Sequence, residues 1–339
     1  MKLKGTSVAV LALVLVCLGK WEYCKLLLVR DFEAQARVVL AEQGLGPAEY
    51  AALGQVYDDV RHTLTRAWLD VEVFPIGSLF TRLALKNCDV DLVVNVNDDS
   101  EVSERARVLL LRSRARYRRV ARGGSRAGAR PTLVLHFTHI ASGRKCDLSF
   151  SSQTSVENSL LLTYYLKLDE RIKPLISLVK VWINHLDNSK HFRSHILCLL
   201  VIFYLEQKHI VPPPIVLQEN LSDNYRNGWD TNFNMIPFKS NNTESLYQLL
   251  GGFFKYYSIF NFRDNVLAVR NGKTYHRSVF RNISTIPEEF SDYKDYLKRP
   301  DSTPLNLDKD LCIQDAFGQN YNIADTVPSD LAADFLSHL

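Results

Sequence analysis

The chain has 339 residues, 46% of them apolar and 23% charged, with a formal net charge of +4. That length allows about two domains with full cores, and the balance excludes disordered and collagen-like chains. The apolar run from Val8 to Leu18 is shorter than the roughly 20 residues that a membrane-crossing helix needs, so no stable membrane span is expected.

Lys2 and Lys4 precede that run in the manner of a short secretory signal. No Ala-x-Ala cleavage site follows, however, and a second apolar patch at 25–29 continues toward the body of the chain. Residues 1–30 are therefore read as an apolar leader or N-terminal helix of an intracellular protein, in the cytoplasm, with mitochondrion or nucleus as alternatives. Six cysteines (17, 24, 88, 146, 198 and 312) form no Cys-x-x-Cys pair, and His136 and His139 have no cysteine at zinc-ligand spacing. Reduced thiols and no structural zinc are expected.

From 31 to 70 apolar residues recur at helical spacing, through Phe32, Val38 and Leu40 and then Leu53, Val56, Val60 and Leu64, interrupted at 44–47. Two helices are predicted. Residues 71–76 read as a strand leading into Gly77-Ser78, 79–85 as a helical turn or two, and 90–96 as a second strand. In an extended strand Asp89 and Asp91 share one face while Val90 and Leu92 take the other. Two carboxylates on one face repel unless a hard cation such as Mg²⁺ takes their oxygens together with those of a phosphate. Gly77 lets a phosphate approach the backbone, and Ser78 adds a hydroxyl and an N–H where a helix begins. An edge strand with an acidic outer face is the alternative.

Residues 97–103 read as a polar turn, 104–117 as a basic helix and 118–130, rich in Gly, Ser and Arg, as a mobile loop. The interval 101–130 holds ten arginines against two glutamates, a field suited to a polyanion. Strands at 132–138 and 145–150 flank the turn Ala141-Ser142-Gly143 and carry Asp147, whose carboxylate stands beside Asp89 and Asp91 if the strands are neighbours. Beyond 152 the pattern becomes helical, at 159–168, 174–186, 194–208 and 246–260, with a hairpin around Asn271-Gly272. Phe253, Phe254, Tyr256 and Tyr257 read as core residues, base stacking being the alternative. The tail from 300 is loop-rich, with 312–317 as its apolar anchor.

These blocks together resemble the DNA polymerase β-like nucleotidyltransferase superfamily and, within it, the Cid-type terminal nucleotidyltransferases, the non-templated poly(A) and poly(U) RNA polymerases. The resemblance runs from about residue 32 to 327. GSLFTRLALKNCDVDL matches the Gly-Ser and Asp-x-Asp signature, SGRKCDLSF the third-aspartate hairpin, and NSLLLTYYLKLDERIKPLISLVKVW the first central helices. LLGGFFKYYSIFNF and VLAVRNG match the poly(A)-polymerase-associated region, and CIQDAF the closing segment.

The resemblance implies an α+β fold of two lobes, a mixed-sheet catalytic lobe and an all-helical central lobe. The expected divisions are 31–70 for N-terminal helices packing on the central lobe, 71–152 for the catalytic domain and 153–330 for the central domain, with the poly(A)-polymerase-associated region at about 246–305. It implies that Asp89, Asp91 and Asp147 bind two Mg²⁺ or Mn²⁺ ions and that Gly77 and Ser78 hold the triphosphate of ATP or UTP. Lys180 would neutralise its outer phosphates, Asn158 contact the ribose, and Ser194 the phosphates or base. The partner would be an RNA 3′ end, met by the cleft and by Arg114, Arg116, Arg118 and Arg119, or selected by a separate RNA-binding protein.

Arg82 and Cys88 depart from the family pattern without removing a metal ligand, and Asn184 stands where a second triphosphate lysine is frequent. His195 replaces a base-stacking tyrosine, and Tyr321 stands where uridylyl-specific members carry histidine, so base choice leans to ATP or mixed use. The alternative function is a catalytically weakened RNA-binding scaffold of the same fold.

Overall fold

The computed structural model describes residues 31–66, 68, 71–86, 88–95, 99–125, 132–150, 153–184, 192–219, 221, 224–226 and 228–339. The expectation for 1–30 lies outside these residues. Helix α1 (Phe32–Gln43) is capped by Asp31, whose carboxylate accepts from the Ala34 N–H at 3.0 Å, and α2 (Pro47–Thr65) opens with proline in its first turn. Both helices fall where the apolar period placed them.

A five-stranded sheet follows, built from β1 (Glu72–Pro75), β2 (Val90–Asn95), β3 (Tyr117–Ser125), β4 (Thr132–His139) and β5 (Lys145–Phe150). Its order is β1-β2-β5-β4-β3, with β2 parallel to β5 and every other pair antiparallel, so the sheet is mixed. The short helix α3 (Gly77–Thr81) joins β1 to β2, and α4 (Asp99–Arg112) joins β2 to β3. Two expectations fail here. The basic helix starts five residues earlier than its arginines suggest and ends before Tyr117. The stretch read as a mobile loop is, up to Ser125, strand β3; residues 126–130 lie outside the described ones. Its many arginines hide the strand period, because after the buried Tyr117 the residues of β3 that pair with β4 are mainly arginines and glycines.

The sheet core gathers Leu53, Val56, Val60 and Leu64 of α2 with Val90, Leu92, Leu135, Cys146, Leu148 and Phe150. The two N-terminal helices thus divide. Ala36 and Val39 of α1 join the helical core, as expected for both, but the buried stripe of α2 covers the sheet.

The helical core is formed by α5 (Gln153–Leu168), α6 (Ile172–Ile183), α7 (Ser194–Gln207) and, after the single turn α8 (Pro214–Leu217), α9 (Leu246–Ser258). Helix α7 is buried at every position from Ile196 to Glu206, which explains its apolar composition all round. The aromatic stretch of α9 packs into this core, with Phe253 and Tyr257 fully buried and Phe254 and Tyr256 partly so. After the minor pair β6 (Tyr225–Arg226) and β7 (Trp229–Asp230), β8 (Asn265–Ala268) and β9 (Lys273–His276) form the hairpin that the Asn271-Gly272 turn predicts. Gly272 turns it with φ +61°. Helix α10 (Ser291–Leu297) and β10 (Ile313–Gln314) follow, β10 pairing parallel to β8, and α11 (Ser329–Ser337) closes the described chain. No helix among the described residues is long and apolar enough to cross a membrane.

Candidate active site

Strand alternation buries Val90 and Leu92 completely in the sheet core, which leaves Asp89 and Asp91 on the other face. The parallel register sets Asp91 directly opposite Asp147 on β5, at the roughly 4.8 Å spacing of neighbouring strands. The adjacency that the sequence leaves open is thereby established. Gly77, the first residue of α3, has φ +59°, a left-handed conformation suited to glycine. A Cβ there would lie 3.2 Å from Asp91 Oδ2, so the turn and the carboxylate are in close approach.

Crowding shows in the acids themselves. Burial, then Asp147 and Asp89, push the Asp91 carboxyl up to about 6, against the opposing pull of Lys180 and Arg193. Burial and Asp147 raise Asp89 as well. A set of hard oxygen donors with uncompensated negative charge matches what a divalent cation offsets. Among the described residues, however, no three acidic, histidine or cysteine side chains are already closed around one cation-sized point. Asp147 Oδ1 instead meets His136 Nδ1 at 2.7 Å. The donor chemistry thus fits a divalent ion, although the described side chains form no closed ligand set.

A concavity of about 330 Å³ opens beside these acids and has Asp89, Asp147, His136, Arg119 and Lys145 in its walls. Of the four arginines singled out from the sequence, Arg119 reaches this wall. It has φ +56° and sits where the β3–β4 register shifts between Arg118 and Ala121. Arg114, Arg116 and Arg118 are exposed on the surface nearby in sequence and do not line the concavity. A larger concavity of about 430 Å³, bounded by Lys208, His209 and Phe238, holds none of the site residues.

The helical side contributes three groups. Ser159 on α5 accepts the Gly77 N–H through Oγ at 3.0 Å, which ties the glycine turn to the helical lobe. Lys180 on α6 is 5% exposed and donates from Nζ to the Leu83 carbonyl at 2.6 Å. Burial lowers its pKa, and the neighbouring Cys198, Cys88 and Asp91 act the other way.

The third group surrounds Asp315, a buried acid that sequence reasoning passes over. Its Oδ1 accepts from the Phe317 and Gly318 N–H groups at 3.0 and 2.9 Å, and its Oδ2 accepts from Asn158 Nδ2 at 2.9 Å. His195 Nε2 lies 3.5 Å from the same Oδ2, and the Asp315 N–H donates to the Tyr321 carbonyl at 3.0 Å. Asn158, His195 and Tyr321 therefore converge on one residue, although they come from α5, α7 and the tail. Asn158 Oδ1 is buried with no hydrogen-bond partner among the described residues. Ser194, at the first position of α7, is exposed. The signal for Asp315 lies in the Asp-Ala-Phe-Gly sequence, where a carboxylate can accept from the N–H groups two and three residues on.

Residues 32–167 match the family described as poly(A) RNA polymerase, mitochondrial-like, central palm domain, and residues 245–320 match the Cid1 family poly A polymerase description. Terminal uridylyltransferase cid1 of Schizosaccharomyces pombe is 29% identical over 88% of this chain and 75% of its own length. Poly(A) RNA polymerase GLD2-A of Xenopus laevis is 27% identical over 69% of this chain, which spans about half (51%) of that longer protein. The crystal structure of the Cid1 poly(U) polymerase with Mg and 3′-dATP bound superposes with a TM-score of 0.71 at 26% identity, covering 91% of this chain and 92% of that one. The mtPAP structure in complex with ATPγS, at 22% identity and TM-score 0.73, covers 97% of this chain and 68% of that one and shares the fold. Two matched segments, a relative aligned along most of the chain and a common fold make this chain similar to the Cid-type terminal nucleotidyltransferases, among them poly(A) and poly(U) RNA polymerases.

Proposed function

We propose that the chain is a template-independent nucleotidyltransferase that adds AMP or UMP from the triphosphate to an RNA 3′ hydroxyl and releases pyrophosphate. The observation that carries this reading is the register of Asp91 against Asp147, with Asp89 on the same face and the left-handed Gly77 turn against Asp91. Asp89, Asp91 and Asp147 would hold Mg²⁺ or Mn²⁺. When bound, such ions lower the pKa of the attacking hydroxyl and neutralise the triphosphate.

The chain's own groups have defined parts in this reading. Gly77 and Ser78 admit the triphosphate to the backbone. Because the Gly77 N–H already serves Ser159, Gly77 contributes space more than a donor. Lys180 neutralises the outer phosphates, and for this its Nζ has to leave the Leu83 carbonyl. Asn158, held through Nδ2 by Asp315, presents its unpaired Oδ1 to a ribose hydroxyl, which favours ribonucleotides. His195 and Tyr321, gathered around the same aspartate, border the base, and Ser194 lies within their segment for the phosphates or base. Arg119 guides the RNA end toward the acids, with Arg114, Arg116 and Arg118 extending the basic surface. A separate RNA-binding protein would add RNA selection and no step of the chemistry.

The same reading assigns 71–152 to catalysis and 153–330 to the central domain, and places the protein in the cytoplasm, with mitochondrion or nucleus as alternatives. The test is primer extension of a 3′-OH RNA with Mg²⁺ or Mn²⁺ and each NTP separately. Extension with ATP, alone or together with UTP, is expected. Folded protein that extends with none of the four would leave the scaffold reading, which Asn184 and His195 favour, in its place.

A further inference from the structure

Four strands bring one residue each to a single line across the sheet: Asp91 on β2, Asp147 on β5, His136 on β4 and Ala121 on β3. His136 faces Asp147 directly across the antiparallel pair, and its Nδ1 lies 2.7 Å from Asp147 Oδ1. Among the described residues this is the one hydrogen-bond partner of the Asp147 carboxylate.

The neighbouring strand is shaped to admit the ring. A Cβ on Gly123 would lie 2.1 Å from His136 Nε2 and 2.5 Å from Cδ2, so any larger residue on β3 would displace the imidazole. Glycine inside a strand weakens it, by about 0.5–1 kcal/mol relative to alanine. The pair it accommodates is 48% and 39% exposed, and exposed ion pairs contribute about 0–1 kcal/mol. Stability therefore gives little reason for the arrangement, whereas fixing a carboxylate gives a clear one. A ligating carboxylate swings about two torsions unless an outer partner holds it, and loss of such partners typically costs about 10–100-fold in metal affinity or activity.

We propose that His136 is a positioning residue for Asp147: seated over Gly123, it holds Oδ1 and fixes the carboxylate for a divalent cation. The inference rests on the nucleotidyltransferase reading for its purpose. Its hydrogen bond is a property of the chain itself, and its test does not require RNA tailing. Asp147 Oδ2 remains for the ion, and Asp91 across the parallel pair supplies the facing oxygen.

The test titrates Mn²⁺ into the intact protein by calorimetry, without RNA, for wild type, His136→Ala, His136→Asn and Gly123→Ala. His136→Ala is expected to weaken Mn²⁺ binding by about 10–100-fold. His136→Asn, whose amide nitrogen stands near the place of Nδ1, recovers most of it. Gly123→Ala, which expels the ring while leaving histidine in the chain, reproduces the loss even if His136→Ala folds poorly. In primer extension the Mg²⁺ midpoint of His136→Ala rises in parallel, with the KM for NTP at saturating metal within about twofold of wild type. Unchanged or tighter Mn²⁺ binding in both His136→Ala and Gly123→Ala overturns the proposal, as does a loss that asparagine does not rescue. Wild type that binds Mn²⁺ with this dependence but extends no RNA removes the tailing reading and leaves the positioning role standing.

Discussion

Asp89 and Asp91 beside the sheet and Glu206 in the helical core are all pushed toward the protonated form by burial, yet their surroundings differ. Asp91 faces two other acids, Lys180 and the close turn at Gly77. Glu206, 5% exposed on α7, has neither carboxylate oxygen hydrogen-bonded among the described residues, and the amide of Asn271 nearby is also unpaired. Tyr165 and Tyr257, whose own pKa values are raised, face the same region. Three acids crowded beside an open concavity keep a charge that an external cation can offset. One acid enclosed in a core has no such outlet, and burial pushes its carboxyl well above the ordinary range. Burial alone therefore does not mark a site; access for a compensating charge does. Asp315 makes a third case, equally buried but satisfied by two backbone N–H groups and Asn158.

The sharpest way to break this contrast is Asp91→Asn. If the acids hold the catalytic ions, it lowers extension by roughly a thousandfold, about 4 kcal/mol of lost transition-state stabilisation. In EDTA the same variant is more stable than wild type by about 1 kcal/mol in urea unfolding at pH 7.5, because the repulsion has gone. Lower stability without metal would show that the acids are not frustrated in the way described.

Glu206 should behave otherwise. Its folded pKa lies well above the ordinary 4.5, so the stability it contributes is complete below about that pH and declines as pH rises and the unfolded chain releases the proton first. Wild type is expected to lose roughly 1–3 kcal/mol between pH 4 and 8 from this group. Glu206→Gln, measured by chemical denaturation across that range, should flatten the slope and leave primer extension unchanged. An equal slope in both proteins would mean that Glu206 is ionised and paired.

The smallest effect concerns the basic surface. Neutralising Arg114, Arg116, Arg118 and Arg119 should raise the RNA KM by about tenfold at low salt and reduce the salt slope by roughly 0.7 for each phosphate left without its arginine. Arg119→Ala alone should account for most of the change if the concavity beside Asp89 and Asp147 receives the RNA. A slope that does not move would detach the arginines from the site.

The elements around the acids are legible in the sequence because local chemistry and burial agree there. Val90 and Leu92 are apolar where Asp89 and Asp91 are not, and Gly77 announces the turn. Strand β3 escapes a sequence reading because its exposed arginines and glycines carry no apolar alternation, and only its pairing with β4 defines it. His136 stands out in the sequence merely as a histidine without cysteine partners, whereas its significance comes from strand register, which one strand's sequence does not encode. The burial of Lys180 and the gathering around Asp315 depend on lobes that meet in space across long stretches of chain, as between Asn158 and Asp315.

The bonds from Gly77 to Ser159 and from Lys180 to Leu83 flank α3 on both sides. The turn that faces Asp91 is thus lashed to the helical lobe, while the acids ride on the sheet. Any rocking of one lobe against the other must either snap these two tethers or drag the turn across the carboxylates. If the chain transfers nucleotides as proposed, Lys180 must release Leu83 to reach a triphosphate, so loading the site would undo one tether and leave the Gly77–Ser159 bond as the remaining fastening between the turn and the helical lobe.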